Sequence, residues 1–302
     1  MSYVDELLKL AAVERLSTRP VMGLEELAME LGLGVAEARL LVGALSRNFA
    51  IELRGDNVYW SPADNLRHAR PWGWGVLYGV VLGSTLMSAK LARPWTLAVA
   101  EMQRDGRGRL GKQRGGALGG LWATFKLRAR ASALPLALMG GAYALSLAIE
   151  RGAGARCSIG WPNDVVVEGR KVGEVFVEGE VVGGEAVVYV TVEVNANNDA
   201  EVPGSASLKE VLGSLVPRGR LLGYLATYLA RLEAMASRPE ELRRGYASRL
   251  ETLGRKVVAR TVSGDVVGVA KGVDARGNLI VDTGSGERVV EIGDVVSLRH
   301  VD

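Results

Sequence analysis

The stretch VVVEGRKVGEVFVEGEVVGGEAVVYVTVEVN, residues 165–195, gives the strongest indication of the fold. Valine recurs along it in short runs, which are interrupted at Glu168-Gly169, Glu178-Gly179 and Gly183-Gly184. Valine-rich runs of this length are typical of strands with a buried face, and the glycines favour turns between them. We therefore predict at least three strands in this stretch, joined by glycine turns, at the centre of a sheet.

Strand-like and helix-like segments continue on both sides of this stretch. Residues 96–103 and 121–127 have the composition of strands, whereas the apolar residues 133–150 predict a long core helix. Two further helices are predicted at residues 221–235 and 239–250, where they would cover the sheet. The central region is therefore expected to be α+β.

The two ends of the chain predict smaller modules. Apolar residues recur at helical spacing in residues 3–16, 24–31 and 35–45, and a β-hairpin follows at residues 49–60. Three helices and a hairpin are typical of a winged helix-turn-helix, a DNA-binding module. A linker containing Pro and Gly is expected at residues 61–75. From residue 254 onward, short β runs alternate with polar turns and predict a small barrel.

The charge of residues 1–60 argues against strong DNA binding. This part has six Lys and Arg against nine Asp and Glu, so it carries −3, and the remainder of a chain of net charge +3 carries +6. Affinity for phosphates depends on basic side chains, and the third helix offers only Arg39, Ser46 and Arg47 to a groove. We expect at most weak DNA binding, and a module retained for packing or regulation is an equal alternative.

The composition of this chain of 302 residues limits which side chains could catalyse a reaction. Its one cysteine, Cys157, and its two histidines, His68 and His300, exclude an intramolecular disulfide and a Cys/His zinc site. Catalysis must use carboxylates, Lys, Arg, backbone amides or a bound divalent ion, and Cys157 is expected to be a buried thiol. Neither a membrane span nor a secretion signal is evident, so we expect no membrane association and a cytoplasmic protein.

The stretch QRDGRGRLGKQR, residues 103–114, combines five cationic side chains with closely spaced glycines. Glycine lets a backbone approach a ligand, and Arg supplies paired donors for phosphate or carboxylate. The stretch follows a predicted strand, so it is interpreted as a loop that holds an anion. A solvated basic loop or a nucleic-acid contact explains the spacing equally well, and no Walker-type Gly-Lys-Ser/Thr occurs in the chain.

Six short motifs, taken in order, resemble those of biotin–protein ligases. They are Gly83-Ser84-Thr85, residues 103–111, Trp161-Pro162-Asn163-Asp164, Gly169-Arg170-Lys171, Val194-Asn195-Ala196-Asn197 and Ala206-Ser207-Leu208-Lys209. Each motif alone is weak, and Pro-Asn-Asp by itself would be a simple turn. The resemblance covers residues 80–245. It implies an α+β chain with a winged helix-turn-helix at residues 1–62, a central mixed β-sheet catalytic domain with helices at residues 76–252, and a small C-terminal SH3-like β-barrel at residues 253–302.

The resemblance also implies a two-step reaction that uses biotin, ATP and Mg²⁺. The carboxylate of biotin attacks the α-phosphate of ATP to form biotinyl-5′-AMP, and a lysine of a biotin carboxyl carrier protein then displaces AMP. A homodimer is implied because the β segments near Asn195 resemble those that the family uses for subunit pairing. The winged helix adds the role of a biotin-responsive transcriptional repressor.

The residues that match functional positions of the family form two groups. Lys171, Arg107 and Arg109 match residues that meet the carboxylate and phosphate during catalysis. The positions that match substrate and nucleotide contacts are Ser84, Thr85, Gln103, Gly106, Gly108, Gly111, Lys112, Asp164 and Asn195. The first three of these imply contacts to the ureido ring of biotin, and Asn195 implies one near the adenine. No protein side chain is expected to be a dedicated metal ligand.

Several residues depart from the usual pattern of the family, and four of them bear on the site. Leu86 stands where Asn usually follows Ser-Thr, and Arg114 stands where an aromatic residue often follows the basic stretch. Glu174 and Glu193 occupy positions usually held by glycine. The site is therefore expected to be more charged than is usual.

Two other interpretations fit the same residues. A biotin- or adenylate-sensing DNA-binding regulator with weak or no ligase activity is consistent with the two glutamates and the N-terminal module. A relative of lipoate ligases would share the central fold. The winged helix and the terminal barrel favour the biotin branch.

Overall fold

The computed structural model describes residues 3–107 and 113–301. Residues 3–60 form an N-terminal unit of helices and a small antiparallel sheet. Its helices are α1 (Tyr3–Thr18), α2 (Leu24–Leu31) and α3 (Val35–Leu45), and its strands are β1 (Val21–Gly23), β2 (Ile51–Arg54) and β3 (Asn57–Trp60). The strand order is β1-β3-β2. The predicted hairpin is β2–β3, and β1 is a strand that the sequence did not indicate.

The core of the N-terminal unit fixes the hairpin on the helices. Leu16, Leu27 and Leu45 are buried together with Phe49 and Trp60. The two aromatic rings pack edge to face with centroids 5.3 Å apart, an arrangement that adds to the free energy gained by burial.

A mixed sheet forms the centre of the molecule. Its strands are β4 (Gly75–Leu82), β5 (Thr96–Arg107), β6 (Gln113–Gly116), β7 (Leu121–Arg130), β8 (Ser158–Gly160), β9 (Asp164–Val167), β10 (Arg170–Val182) and β11 (Glu185–Val194). Within the described residues, the order is β4-β5-β7-β11-β10-β9-β8, and β6 pairs with β5. Strands β4 and β5 are parallel, and the other ladders are antiparallel.

Helices cover both faces of this sheet. They are α4 (Thr85–Leu91), α5 (Ala137–Ala153), α6 (Leu208–Leu212), α7 (Arg218–Leu229), α8 (Leu232–Ala236) and α9 (Pro239–Ala247). Helix α5 packs closely against β10 and β11. Its Gly141 is so near to them that a Cβ there would be 2.9 Å from Val175 and 3.3 Å from Val190. The segment Ala131–Ala153 is long and apolar enough to cross a membrane, but 67% of its most apolar window is buried in the protein. It is therefore the core helix that the sequence predicts.

The C-terminal part is an antiparallel sheet of short strands. These are β12 (Lys256–Thr261), β13 (Gly264–Val273), β14 (Leu279–Asp282), β15 (Glu287–Val290) and β16 (Val295–His300). Their order is β15-β14-β13-β12-β16, and in the described part of the chain no ladder joins β15 to β16. The sheet is thus open by its hydrogen bonds, where the sequence predicts a barrel. It shares its apolar core with Trp161, Met139 and Leu242 of the central region.

Two local predictions were wrong. Glu178-Gly179 is not a turn, because both residues lie inside β10 and pair with Tyr189 and Val188. Residues 103–107 continue β5 instead of starting a loop. Residues 61–75 connect the N-terminal unit to β4, and this connection includes a 3-10 helix at Leu66–His68 and the fully buried Asp64.

A buried ion network joins the N-terminal unit to the central sheet. Arg218, at the start of α7, donates to Asp64 at 2.7 Å and to Glu101 of β5 at 2.6 Å, and all three side chains are fully buried. Asp64 also accepts from the Trp60 indole at 2.9 Å. Buried charges require partners of this kind. The network therefore holds the N-terminal unit against the strand that continues into the basic stretch.

Candidate active site

The Trp161-Pro162-Asn163-Asp164 motif forms the turn between β8 and β9. The Trp161 indole donates to the Gly277 carbonyl at 2.8 Å, and the Tyr246 hydroxyl donates to the Pro162 carbonyl at 2.7 Å. Asn163 donates from its side chain to the Val175 carbonyl at 2.7 Å. The C-terminal sheet, α9 and β10 thus fix this turn, and with it the position of Asp164.

Lys171 lies beside Asp164 near the start of β10. Its Nζ is 2.7 Å from Asp164 Oδ1 and 3.0 Å from Glu174 Oε2. The lysine side chain is 28% exposed, whereas that of Glu174 is 8% exposed. A β-bulge between Lys171 and Gly173 shifts the register against β9, which re-aims side chains locally. The structure therefore places the predicted lysine and acid in direct contact and adds Glu174 to them.

A second cluster of polar side chains, centred on Gln103, lies on the same face of the sheet. Gln103 Oε1 accepts from both the backbone N–H and the hydroxyl of Thr85, at 2.8 and 2.9 Å, and Gln103 Nε2 donates to Glu193 Oε1 at 3.1 Å. The Thr85 hydroxyl also bonds to Thr124, which bonds to Thr191. All five side chains are buried. Such connected buried networks hold their members in one geometry.

The strand register aligns charged residues across the sheet. Asp164 pairs with Glu174, Glu174 with Glu193, and Glu193 with Trp122. Directly opposed residues project from the same face, so these side chains form one row across β9, β10, β11 and β7. Residues Thr124 and Thr191 share that face by the period of two along each strand.

A cavity of about 310 Å³ lies over this row. The residues that line it are Gly115, Ala117, Trp122, Lys171, Gly173, Glu174, Glu193, Asn195, Asn198, Asp199, Glu201, Val202 and Ser205. Lys171 and Asn195 were predicted from the sequence as site residues, and Thr85 and Gln103 lie behind Glu193. Asn195 also accepts a hydrogen bond from the side chain of Asn198 at 2.9 Å.

Other predicted residues lie at the edge of the site or outside the described residues. Ser84 caps the N-terminus of α4, and its hydroxyl accepts from the Met87 N–H at 3.4 Å. Gly106 pairs with Arg114 in the β5–β6 ladder. The positions Gly108, Arg109, Gly111 and Lys112 lie outside the described residues, as do the side chains of Arg107 and Arg114.

Trp122 was not predicted as a site residue, yet it is 5% exposed and lines the cavity. Its indole N–H donates to the Ala117 carbonyl at 2.9 Å. A Cβ on Gly116 or Gly120 would lie 2.7 or 2.1 Å from the ring, so only glycine leaves room for it. The glycines on either side of Ala117-Leu118 were the available signal, but only the fold shows which side chain they accommodate.

The site contains no cluster of protein metal ligands in the part of the chain that the structure describes. Cys157 lies away from the cavity and is buried, as predicted. Burial raises the pKa of its thiol to about 12, so it remains protonated at neutral pH and is a poor nucleophile.

Two family models match the chain. Residues 83–197 match the biotin/lipoate A/B protein ligase family, and residues 252–297 match the biotin protein ligase C terminal domain. The central mixed sheet is thus of the type found in enzymes that ligate biotin or lipoate to proteins, and the C-terminal match is specific to the biotin branch.

Individual proteins give the same result. The chain is 31% identical over 215 residues to a biotin--[acetyl-CoA-carboxylase] ligase of Paracoccus denitrificans, covering 67% of this chain and 89% of that protein. It is 26% identical to the bifunctional ligase/repressor BirA of Bacillus subtilis, covering 74% of each. Among solved structures, the biotin protein ligase from Aquifex aeolicus in complex with biotin and ATP superposes with a TM-score of 0.64 at 26% identity, covering 75% of this chain and 99% of that one. The chain belongs to the biotin protein ligase family, and it is an enzyme of the biotin–protein ligase class.

Proposed function

We propose that the cavity over Lys171 is the place where this enzyme joins biotin to AMP, and that the ammonium group of Lys171 binds the biotin carboxylate. The observation that carries this proposal is the position of Lys171. It lies in the cavity, held by Asp164 and Glu174, on the sheet face that also carries the buried Thr85–Gln103–Glu193 network. Biotin and ATP are both bound by the Aquifex aeolicus relative, and they are the proposed substrates here.

In the first step, a carboxylate oxygen of biotin attacks the α-phosphorus of ATP. The new O–P bond forms as the bond to the bridging oxygen breaks, and pyrophosphate leaves with that electron pair. Two anions must approach each other, so a fixed cation beside them lowers the barrier. Lys171 supplies this charge, and the biotin carboxylate takes the place of one of the two protein carboxylates at its ammonium.

The basic stretch is proposed to bind the phosphates. Arg107 pairs with Gln113 in the β5–β6 ladder, and Gly115 of β6 and Ala117 just after it line the cavity. The strands that bracket residues 108–112 therefore lie beside the cavity. Backbone N–H groups at Gly106, Gly108 and Gly111, together with the side chains of Arg107, Arg109 and Lys112, would meet the ATP phosphates and shield the adenylate from water.

Mg²⁺ is proposed to arrive with ATP. Magnesium in nucleotide sites is usually held by one or two carboxylates together with the phosphates of the substrate. Glu174 lines the cavity and Asp164 contacts Lys171 beside it, so these two carboxylates fit a shared site rather than a protein cage. The ion would neutralise phosphate charge. Lys171 meanwhile orients the protein carboxylate that biotin does not replace.

In the second step, the ε-amine of a carrier lysine attacks the carbonyl carbon of the adenylate. The C–N bond forms, the C–O bond to the phosphate breaks, AMP leaves and the amine loses a proton. The Paracoccus denitrificans relative is named for acetyl-CoA carboxylase, and a biotin carboxyl carrier domain is the proposed partner. Asn195, which lines the cavity, is proposed to contact the nucleotide.

Biotin-dependent exchange between ATP and pyrophosphate tests the first step. We expect exchange with the wild-type chain and at least about a hundredfold loss in Lys171→Ala, because a charge aimed at the reacting atoms is removed. Lys271→Ala, in the C-terminal sheet, is the matched control. Equal exchange rates in the Lys171→Ala and Lys271→Ala variants would show that Lys171 takes no part in the first step. Calorimetric titration with biotin and with lipoate separates the two branches of the family.

The N-terminal unit is proposed to be a winged helix-turn-helix with a regulatory function, and two Bacillus relatives named as bifunctional ligase/repressors support this proposal. Its exposed surface on α3 includes Val35, Glu37, Arg39 and Leu40, a face that is more apolar than basic. DNA binding is therefore expected to be weak and salt-sensitive. Fluorescence anisotropy with duplex DNA, in the presence of biotin and ATP, measures it, and sequence-specific binding at physiological salt would support a repressor.

We further propose that the chain divides into domains at residues 1–62, 76–252 and 253–302, that the last of these is SH3-like, and that the enzyme is a cytoplasmic homodimer. The apolar clusters centred on Trp60 and on the central sheet support the first boundary, and the cluster of the C-terminal sheet, which also includes Trp161, Met139 and Leu242, marks the contact across the second. Light scattering with and without biotin and ATP tests the dimer.

A further inference from the structure

We propose that Glu193 determines ligand specificity by accepting a hydrogen bond from an N–H of the biotin ureido ring. This inference rests on the proposed function, because it assumes that biotin occupies the cavity. It goes further by assigning the recognition of the ring to a carboxylate instead of a neutral group.

The Gln103 side chain holds Glu193 on the side away from the cavity. The carbonyl oxygen of the Gln103 side chain accepts two hydrogen bonds from Thr85, so its amide nitrogen must point the other way, toward Glu193 Oε1 at 3.1 Å. The hydrogen-bond network thereby assigns the orientation of the amide. Glu193 is 7% exposed and lines the cavity, and a carboxylate has about four lone-pair positions for donors. One oxygen is held by Gln103 while the residue borders the ligand space.

The charges around the cavity suit a ligand with an acid at one end and N–H donors at the other. Among the described residues that line the cavity, Lys171 is the one cation, and it lies on β10 with Glu174. Glu193 lies on the next strand, opposite Glu174, and Trp122 lies one strand further. Biotin has a carboxylate at one end and two ureido N–H groups at the other, and hydrogen bonds to a charged acceptor are the stronger kind.

The first turn of α4 does not supply an alternative side-chain acceptor at Leu86. Leu86 packs with Ala89, Ala98 and Tyr189 in a small apolar cluster. The Thr85 hydroxyl is already bonded to Gln103 and Thr124. Glu193 is thus the acceptor that this network presents to the cavity.

The test compares biotin with 2-iminobiotin, in which a guanidine group replaces the urea. Guanidines of this kind are positively charged at neutral pH, as in arginine, so a carboxylate partner favours iminobiotin over biotin and a neutral partner does not. Calorimetry at pH 7 gives both affinities for the wild type, for Glu193→Gln and for Glu201→Gln. Glu201 lines the same cavity but is exposed, so it is a matched control for the loss of one charge.

We expect the ratio of iminobiotin to biotin affinity to fall by about tenfold or more in Glu193→Gln, the size of one charged hydrogen bond, and to stay within about twofold in Glu201→Gln. The ratio is measured on one preparation with two ligands, so a partly unfolded variant still reports it. Glu193→Gly should lower the ratio in the same direction.

An unchanged ratio in Glu193→Gln, with biotin still bound, would overturn the assignment of Glu193 and leave the proposed function intact. Failure of the wild-type chain to bind either ligand would overturn the proposed function, and the inference would fall with it.

Discussion

Arg218 and Asp64 form an ion pair that is closed to water on all sides. Arg218 Nε donates to Asp64 Oδ1 at 2.7 Å, and both side chains have no exposed surface. Desolvation disfavours the charged form of Arg218, but the attraction of Asp64 and Glu101 outweighs it and raises the pKa of the guanidinium. The N-terminal unit is therefore attached to the catalytic sheet by charge as well as by apolar packing.

We expect Arg218→Met to lower the free energy of unfolding by about 3–5 kcal/mol, because it leaves Asp64 and Glu101 buried without their cation. Urea denaturation measures the change. Arg243→Ala, which breaks a solvated pair with Glu240 on α9, should cost less than about 1 kcal/mol. Similar losses in the two variants would show that the buried network adds nothing to stability.

The Glu150–Arg249 ion pair should make the free energy of unfolding depend on pH in the acid range. The two hydrogen bonds, at 2.6 and 2.8 Å, hold the pKa of Glu150 below its usual value. Because the pKa of Glu150 is lower in the folded state than in the unfolded state, the ionised carboxylate stabilises the protein at any pH above the unfolded pKa. This contribution to stability is lost as the pH falls through the folded pKa.

Glu150→Gln tests this dependence. We expect it to cost about 1 kcal/mol at pH 7, discounted for partial exposure, and almost nothing once the pH lies below the folded pKa. Thermal unfolding of both proteins between pH 2 and pH 7 gives the difference. A constant difference across that range would contradict the assignment.

Two glycine-to-alanine changes should have opposite effects. A Cβ on Gly120 would lie 2.1 Å from the Trp122 ring, so Gly120→Ala must displace a side chain that lines the cavity. We expect a loss of about 1–3 kcal/mol in stability and weaker biotin binding. Gly223→Ala, in the middle of α7 with no atom within 4 Å of the new Cβ, should stabilise the protein by about 0.5–1 kcal/mol. Differential scanning calorimetry and biotin titration distinguish the two.

Lys209 joins the N-terminal unit to the rim of the cavity. Its ammonium donates to the Arg47 carbonyl, to Asn48 and to Asp199, at 3.2, 3.2 and 3.1 Å. Lys209→Met keeps the aliphatic stem and removes these bonds, so we expect a loss of about 1–2 kcal/mol in urea denaturation. Lys271→Met should be close to neutral. If both variants are as stable as the wild type, the hydrogen bonds of Lys209 contribute nothing to the free energy of unfolding.

The sequence predicted much of this molecule from local patterns. Helical spacing located α1, α2, α3 and α5, and the order of the motifs brought Lys171 and Asp164 to one site. Both kinds of information are carried by residues close together in the chain or by a family pattern. The stabilising partners of Arg218 could not be predicted, because Asp64 and Glu101 lie 154 and 117 residues away.

The register of the sheet accounts for most of what was missed. A shift of one residue moves every side chain to the other face, so the alignment of Glu174, Glu193 and Trp122 is a property of the assembled strands. The same limit explains the wrong turn at Glu178-Gly179, where β10 simply continues. A Cβ on Gly179 would meet Leu134 at 2.4 Å, so this glycine makes room for a neighbour and does not end a strand.

The burial of α5 has a consequence for synthesis on the ribosome. Its glycines pack against Val175, Val190 and Leu221, all of which are translated after the helix itself. Until those residues emerge, the nascent chain exposes a segment with a mean hydropathy of 1.6, as apolar as a membrane span. The final packing partners of this helix are therefore synthesised after it, so the helix can be fully buried only once residues up to Leu221 have been translated.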